Sequence, residues 1–333
     1  MDKQLQWKNN IKKWASQLGF VSIGFTKADM IDDLAPMVQA RIDQGLATPF
    51  EDTEIQRRLD PRAVWRLCQT VVVLAYPLPS SLPPQKGEGV LARSAVGGDY
   101  HHVLDQKIKA LVGTMISNNW QGNFDFQVDT GPLIERGFAV RAGIGWIGRN
   151  QQLIIPNYGS FVTLAILLLD QTFPPDAALK AGQCGACQKC LHACPAQIIG
   201  QEPFAAKRCI SYLTQSKEVL TAEERGQLGT QIFGCDVCQE VCPHNQKRMM
   251  EEQVFPTSLR RGVDLLETLN LTKGVFQQRF RATAAGWRGK GVLQRNAFLA
   301  MRNVQDDRFE SWLAKREKDR SLPPIIIPYD NHL

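Results

Sequence analysis

Cys184-Gly-Ala-Cys187-Gln-Lys-Cys190-Leu-His-Ala-Cys194-Pro195 sets four cysteines at the spacing C-x2-C-x2-C-x3-C-P. In bacterial ferredoxins the first three thiolates of such a run hold one iron–sulfur cubane and the fourth reaches a second. A shorter run, Cys235-Asp-Val-Cys238-Gln-Glu-Val-Cys242-Pro243, repeats the ending with one cysteine fewer, and Cys209 lies between the two. Each [4Fe–4S] cubane takes four thiolates, and eight stand in this stretch. The spacing therefore predicts Cys184, Cys187, Cys190 and Cys242 on one cluster, with Cys194, Cys209, Cys235 and Cys238 on the other. Structural zinc also uses C-x2-C pairs, but it needs neither a triple C-x2-C-x2-C run nor two C-x3-C-P endings. His192 and His244 read as neighbours of saturated sites rather than ligands, and Cys68 as a small core residue.

Around this stretch the chain is an ordinary globular one. Of its 333 residues, 44% are apolar and 22% charged, enough to bury a sizeable core. The first ten residues are polar, so no signal peptide is expected. The longest apolar run, Phe161 to Leu169, falls far short of the roughly 20 residues that span a bilayer. A soluble, cytoplasmic protein with no membrane partner is expected, and in a reducing compartment clustered cysteines are ligands rather than disulfides.

Leu5, Trp7, Ile11, Trp14, Ala15 and Leu18 form a helical stripe, and Phe20 to Phe25 reads as a strand. Thr70 to Tyr76 and Phe161 to Leu169 are continuous apolar runs, expected as strands buried on both faces. Pro77 to Gly89 is a loop, Tyr100 to Ile116 a helix, and Phe124 to Val128 a strand ending in the turn Asp129-Thr130-Gly131-Pro132. Alternation of strands and helices predicts an α/β domain over residues 1–175. A ferredoxin-like two-cluster insert follows over 176–250. A short α-helical C-terminal region fills 251–333, with helices near 258–280, 291–303 and 308–319 and an irregular tail at Pro323, Pro324 and Pro328. From Lys273 to Arg302 seven basic residues occur with no Asp or Glu, a candidate phosphate-contacting surface.

Two clusters carry electrons, and the remaining residues must supply a destination. Asp129 at a strand end, followed by Glu135-Arg136 and the glycine-rich Arg141 to Asn150, suits a site at the edge of an α/β sheet. Desolvation there would raise the carboxyl's pKa and let it donate a proton near neutral pH. Turn formation explains the same residues equally well. Arg58-Leu-Asp-Pro-Arg62 and Gly97-Gly-Asp99-Tyr100-His101-His102 are further polar clusters. No P-loop occurs, and the Gly143-Ile-Gly145-Trp-Ile-Gly148 spacing follows a turn rather than a strand.

Taken together, these motifs resemble the epoxyqueuosine reductases, cobalamin-dependent iron–sulfur enzymes of tRNA modification. The resemblance runs through Arg58-x-Asp-Pro-Arg62, Gly98-Asp99-Tyr100-His101, Val128 to Asn150, Gly159-Ser160, both cysteine runs with Cys209 to Thr214, and Leu293-x-Arg295-Asn296-Ala297. It implies a cobalamin between the α/β domain and the insert, with electrons passing through two clusters to reduce epoxyqueuosine to queuosine in tRNA. It also implies Asp129 as proton donor. By the same matching, Arg58, Asp129, Leu153, Ser160, Leu164, Ser211, Cys235 and Asp236 are expected at the corrin, and Asp99 and Tyr100 at the substrate. Expected partners are the tRNA anticodon loop and an unidentified electron donor. A monomer is expected, since tRNA offers one modified position per active site. The chain departs from the family's usual pattern at His244, where Trp is common, at Arg149, where Lys is, and in its short C-terminal region. The competing expectations are a corrinoid reductase of a non-RNA substrate, usually exported with a twin-arginine signal that is absent here, and a non-catalytic electron carrier needing neither cobalamin nor Asp129.

Overall fold

A computed structural model describes residues 2–79, 84–179, 182, 184–246, 260–319 and 321–330. Among these, the strands are β1 (Ser22–Lys27), β2 (Thr70–Pro77), β3 (Gly89–Leu91), β4 (Phe124–Gln127), β5 (Trp146–Ile147), β6 (Leu153–Ile154), β7 (Val162–Leu169), β8 (Gln231–Phe233) and β9 (Gly262–Val263). The main sheet has the order β1-β2-β7-β4, and every pairing in it is antiparallel.

That pairing corrects the expected α/β architecture. Alternating strands and helices usually signal parallel crossovers. Here the long connection between β1 and β2, with helices Ala35–Asp43, Ile55–Leu59 and Pro61–Val64, leaves and re-enters the sheet at the same end. The central strands still read as unbroken apolar runs because helices cover both faces. On one face, helices Asp2–Gln17 and Tyr100–Ser117 pack on Val72, Leu74, Tyr76, Ala165 and Leu167. On the other, Val38, Leu59 and Phe138 pack on Val71, Val73, Ala75, Ile166 and Leu168. Helix Glu135–Arg141 lies so close to β1 that a Cβ at Gly24 would stand 2.2 Å from the Ala142 carbonyl oxygen, so glycine is required there.

A second sheet draws on distant parts of the chain: β3 pairs in parallel with β8 and antiparallel with β9. One apolar core follows from this. Leu91 and Val96, then Ile198, Leu213 and Ile232, then Leu265, Phe280, Leu293, Phe298 and Trp312 form a single cluster. The helix expected near 258–280 proves to be β9 followed by two helices, Leu265–Leu269 and Lys273–Arg279; positions 258 and 259 lie outside the described residues. The Asp264 side chain accepts the Glu267 N–H at 2.7 Å and Thr272 accepts the Val275 N–H at 3.2 Å, so each helix starts at its own cap. Helices Lys290–Asn303 and Arg308–Lys318 stand where the pattern puts them, and the proline-rich tail ends in a short helix, Ile327–Asp330. No helix among the described residues is long and apolar enough to cross a membrane.

The basic window needs a correction as well. Arg295 is fully buried and cannot meet a phosphate. Its Nη2 donates to the Leu213 carbonyl at 2.9 Å, and its Nε to Asn296 Oδ1 at 2.8 Å. Asn296, also fully buried, donates from Nδ2 to the carbonyls of Thr214 at 2.7 Å and Ile232 at 2.8 Å. The pair thus clamps the segment after Cys209 to the strand before Cys235. Asn296→Ala strands buried polar groups and is expected to cost about 2–5 kcal/mol, read by chemical denaturation of the anaerobic protein.

Candidate functional site

Asp99 caps helix Tyr100–Ser117, its Oδ1 accepting the His101 N–H at 3.0 Å. The cap aims the first two helical side chains at the end of β4. Tyr100 and His101 stack with ring centroids 4.1 Å apart, and both reach the same atom. The Tyr100 hydroxyl donates to Asp129 Oδ2 at 2.6 Å, and His101 Nε2 lies 3.2 Å from it. The other ring nitrogen, Nδ1, lies 2.6 Å from Asp99 Oδ1. Asp129 itself has left-handed backbone, φ +55°, and its N–H donates to Glu135 Oε1 at 2.8 Å. Gln127 closes the turn from within, donating to the Leu133 carbonyl at 3.1 Å and accepting its N–H at 3.3 Å.

The charges of this cluster depart from the expectation that desolvation raises Asp129. Burial does push its carboxyl up, but hydrogen bonds from His101 and Tyr100, with the charges of His101 and Arg136, outweigh burial and hold it below the usual range. Its side chain is also 57% exposed to the open cleft, which weakens desolvation further. The proton sits elsewhere. Burial lowers His101, yet its bonds to Asp129 and Asp99 carry it up to about 9. Burial and the Asp129 charge push Glu135 up to about 8. Burial and the same charge raise Tyr100, which stays a neutral donor.

Behind these residues, Glu51 accepts from Arg41 at 2.8 Å and Arg58 at 2.9 Å. Burial raises the Glu51 carboxyl, but the Thr48 N–H and both guanidinium groups hold it low. Arg58 is buried, and its Nη1 has no hydrogen-bond partner among the described residues. Arg136 donates to the Gln151 carbonyl.

A cleft of about 390 Å³ opens in front of Asp129 and Tyr100. It runs between the main sheet and the cysteine-bearing segment, and Leu153, Ser160, Leu164, Ser211, Cys235 and Asp236 all line it. Of the residues expected at corrin or substrate, Arg58 and Asp99 are not in its wall; Arg58 stands in the Glu51 ion pair and Asp99 behind His101. A larger cavity, about 630 Å³, lies among the C-terminal helices beside Trp312, Arg316 and Pro323, and no cysteine lines it.

Ser160 joins the two sides of the cleft. Its N–H donates to Asn245 Oδ1 at 2.7 Å and its hydroxyl to Gln239 Oε1 at 2.9 Å, while Asn245 Nδ2 donates to the Gln239 carbonyl at 2.7 Å. A Cβ at Gly159, φ +98°, would stand 2.1 Å from Asn245 Oδ1, so this approach needs glycine. His244 packs edge-on against Trp146 with centroids 5.3 Å apart, and Arg149 donates to the Gly185 carbonyl at 2.9 Å. Both side chains thus make contacts that hold the cysteine segment. Asp236 is buried and pushed up by desolvation, against which the Arg261 charge and the Arg93 N–H, 2.7 Å away, hold it down.

The cysteines fall into two neighbourhoods. Cys242 feels the charges of Cys184 and Cys187, and Cys190 those of Cys242 and Cys184. Cys209 feels Cys194, Cys235 feels Cys209 and Cys194, and Cys238 feels all three. Burial raises every one of these five thiols first, up to about 12 for Cys235. Among the described residues no three ligating side chains converge on a single ion-sized point. Only the neighbourhood of Cys194, Cys209, Cys235 and Cys238 lines the cleft.

Sequence reasoning gave no role to His101, Glu135, Arg136, Gln239, Asn245 or Arg261. His101 was visible only as the third residue of a weak Asp-Tyr-His string and Glu135 and Arg136 only as sequence neighbours of Asp129, while Gln239, Asn245 and Arg261 meet the site through tertiary contacts that no local period encodes.

His101 gives a direct test. Its raised value means that its pairing with Asp99 and Asp129 is fully present below about 6.5 and is lost as pH rises through about 9. Wild type is therefore expected to lose stability over that window relative to His101→Gln, measured as denaturation midpoints against pH.

Comparison with known proteins follows the same geography. A family described as "4Fe-4S double cluster binding domain" matches residues 183–245, and "Epoxyqueuosine reductase QueG, DUF1730" matches residues 58–130. The epoxyqueuosine reductase of Lactococcus garvieae is 34% identical over 307 residues, covering 90% of this chain and 87% of that protein. The structure of epoxyqueuosine reductase from Streptococcus thermophilus superposes with a TM-score of 0.88 at 35% identity, over 96% of this chain and 86% of that one. A crystal structure of epoxyqueuosine reductase with a tRNA-Tyr epoxyqueuosine-modified stem loop gives 0.84 at 33% identity, over 92% and 84%.

Proposed function

We propose, from the premise that this chain belongs to the epoxyqueuosine reductase family of oxidoreductases, that it reduces epoxyqueuosine to queuosine in tRNA. The observation that carries this reading is the cleft itself, whose walls hold Tyr100 and Asp129 on one side and one complete cysteine neighbourhood on the other. Cys184, Cys187, Cys190 and Cys242 would hold one [4Fe–4S] cluster, and Cys194, Cys209, Cys235 and Cys238 the second, beside the cleft. The apolar walls at Leu153 and Leu164 beside the buried Ser160 hydroxyl and Asp236 carboxyl suit a cobalamin, which Ser160, Ser211, Cys235 and Asp236 would border. When bound, clusters and cobalamin supply the two electrons that deoxygenate the epoxide; two protons complete the balance and release water.

The chain's own residues manage one of those protons. An alkoxide is a poor leaving group at neutral pH, so the oxygen needs an acid as its bond to carbon breaks. Asp129 faces the cleft and is the group that meets this oxygen. Unliganded, it is a carboxylate, and His101 holds the proton. Filling the cleft strips water from the exposed edge of Asp129, which favours its neutral form and draws the proton from His101 across their 3.2 Å contact. Asp99, at 2.6 Å from the other nitrogen, fixes the ring and supports its charge. Asp99 therefore acts through His101, and Tyr100 orients the carboxyl while bordering the substrate.

Three measurements test this reading. Cells lacking the protein are expected to accumulate epoxyqueuosine and lose queuosine in tRNA; normal queuosine in such cells would overturn it. Anaerobic reconstitution is expected to yield about eight irons and one cobalamin per chain, whereas a simple electron carrier would retain no cobalamin. Asp129→Asn is expected to keep both cofactors and lose turnover by about 100-fold or more; full activity would remove Asp129 from its role.

A further inference from the structure

Phe50 and Trp287 meet edge to face on the surface, centroids 5.1 Å apart, yet remain 44% and 50% exposed. Two large rings in contact that each keep about half their area in water forgo burial that such side chains normally gain. Their arrangement is nevertheless fixed from beneath. Phe50 leans on the buried Tyr212, centroids 5.4 Å apart, and the Trp287 indole N–H donates to Gln215 Oε1 at 3.0 Å. Arg288 donates from Nε to the Gln215 carbonyl at 2.7 Å, and its guanidinium lies 5.2 Å from the Phe50 centroid and 4.7 Å from that of Trp287. The result is a rigid aromatic face with a positive edge.

Short links connect this face to the cleft wall. Tyr212 adjoins Ser211 of the cleft wall; Arg41, on the helix before the Phe50 loop, donates from Nε to the carbonyl of Phe204, another wall residue, at 3.3 Å, and Leu46 in that loop accepts the Lys207 N–H at 3.3 Å. The loop carrying Trp287 accepts the Asp99 N–H at the Ala282 carbonyl, 3.0 Å away. Lys273 and Arg281, both exposed, lie in the same acid-free window.

We infer that Phe50, Trp287 and Arg288 form a stacking platform for one unpaired nucleobase of the RNA loop, next to the nucleotide held in the cleft. This rests on the tRNA reading above and adds a subsite to it. Every base offers a flat π face, and single-stranded RNA loops are bound by stacking on aromatic rings and guanidinium planes. The Arg288 charge beside the rings suits a phosphate next to that base. Two rings suit one base, and they are small beside the roughly 1,000 Å² that a stable protein partner covers.

The test uses a tyrosine-tRNA anticodon stem-loop carrying 2-aminopurine at each unpaired loop position in turn, titrated into the full chain reconstituted with its clusters. One position is expected to be quenched on binding. Trp287→Leu is expected to abolish that quench and weaken binding roughly 10- to 100-fold, and Trp287→Phe to restore most of both. Unchanged quenching and affinity in Trp287→Leu overturns the platform and leaves the tRNA reading standing. An intact RNA complex with a dimer lost in sedimentation assigns the face to a second copy of the chain and equally overturns it. No stem-loop binding by wild type overturns both. Should Trp287→Leu fail to hold its clusters, Phe50→Leu makes the same comparison.

Discussion

The hydrogen bonds among Ser160, Asn245 and Gln239 decide where the two halves of the cleft stand. Ser160 begins the rim of the main sheet, just before β7, and Asn245 ends the cysteine-bearing segment just after Cys242. All three side chains are buried, so each bond replaces water that is not there, and losing one partner leaves a buried polar atom of another unpaired. Through this knot the rigidity of a sheet covered on both faces passes to a stretch of short helices and turns. Arg295 and Asn296 brace the same stretch from the opposite side, through the carbonyls of Leu213, Thr214 and Ile232. A segment whose thiols repel one another as they ionise is thus held from outside.

Within the cleft, competition between burial and hydrogen bonding settles which group holds the proton. Three carboxyl groups, Asp99, Asp129 and Glu135, crowd around one imidazole and one phenol. They cannot all be charged cheaply in a shared low-dielectric space, and the arrangement separates them. Glu135, where burial and the Asp129 charge outweigh the Asp129 N–H and the Gln127 amide, is pushed up, while Asp129 and Asp99 receive charged or hydroxyl donors and are held down. The group titrates as a unit, and a ligand that dries the cleft changes all of its members together.

What could be read in the sequence tracks how locally each feature is encoded. Eight cysteines at ferredoxin spacing, the unbroken apolar strands Thr70–Pro77 and Val162–Leu169, and the Asp129 turn are local patterns, and the structure has strands and turn at those positions. Strand direction is not local. The helices between β1 and β2 have the same apolar faces whether the chain returns parallel or antiparallel, and the α/β expectation failed for that reason. The basic window misled through Arg295, whose charge looks like surface in a string of letters but is satisfied by buried carbonyls. Asp129 was legible as a candidate and lies in the cleft wall, but the lowering of its carboxyl was not legible, because His101 and Tyr100 reach it from a helix nearly thirty residues away.

Asp129 also carries a cost of its own. A residue with a side chain at φ +55° sits about 1 kcal/mol above an ordinary conformation, a cost that aspartate bears better than most and glycine would not bear at all. Glycine would relax the backbone at this corner but would forfeit the hydrogen bonds of Tyr100 and His101 to the carboxyl. The turn is therefore a place where backbone relaxation and a carboxyl facing the cleft pull in opposite directions.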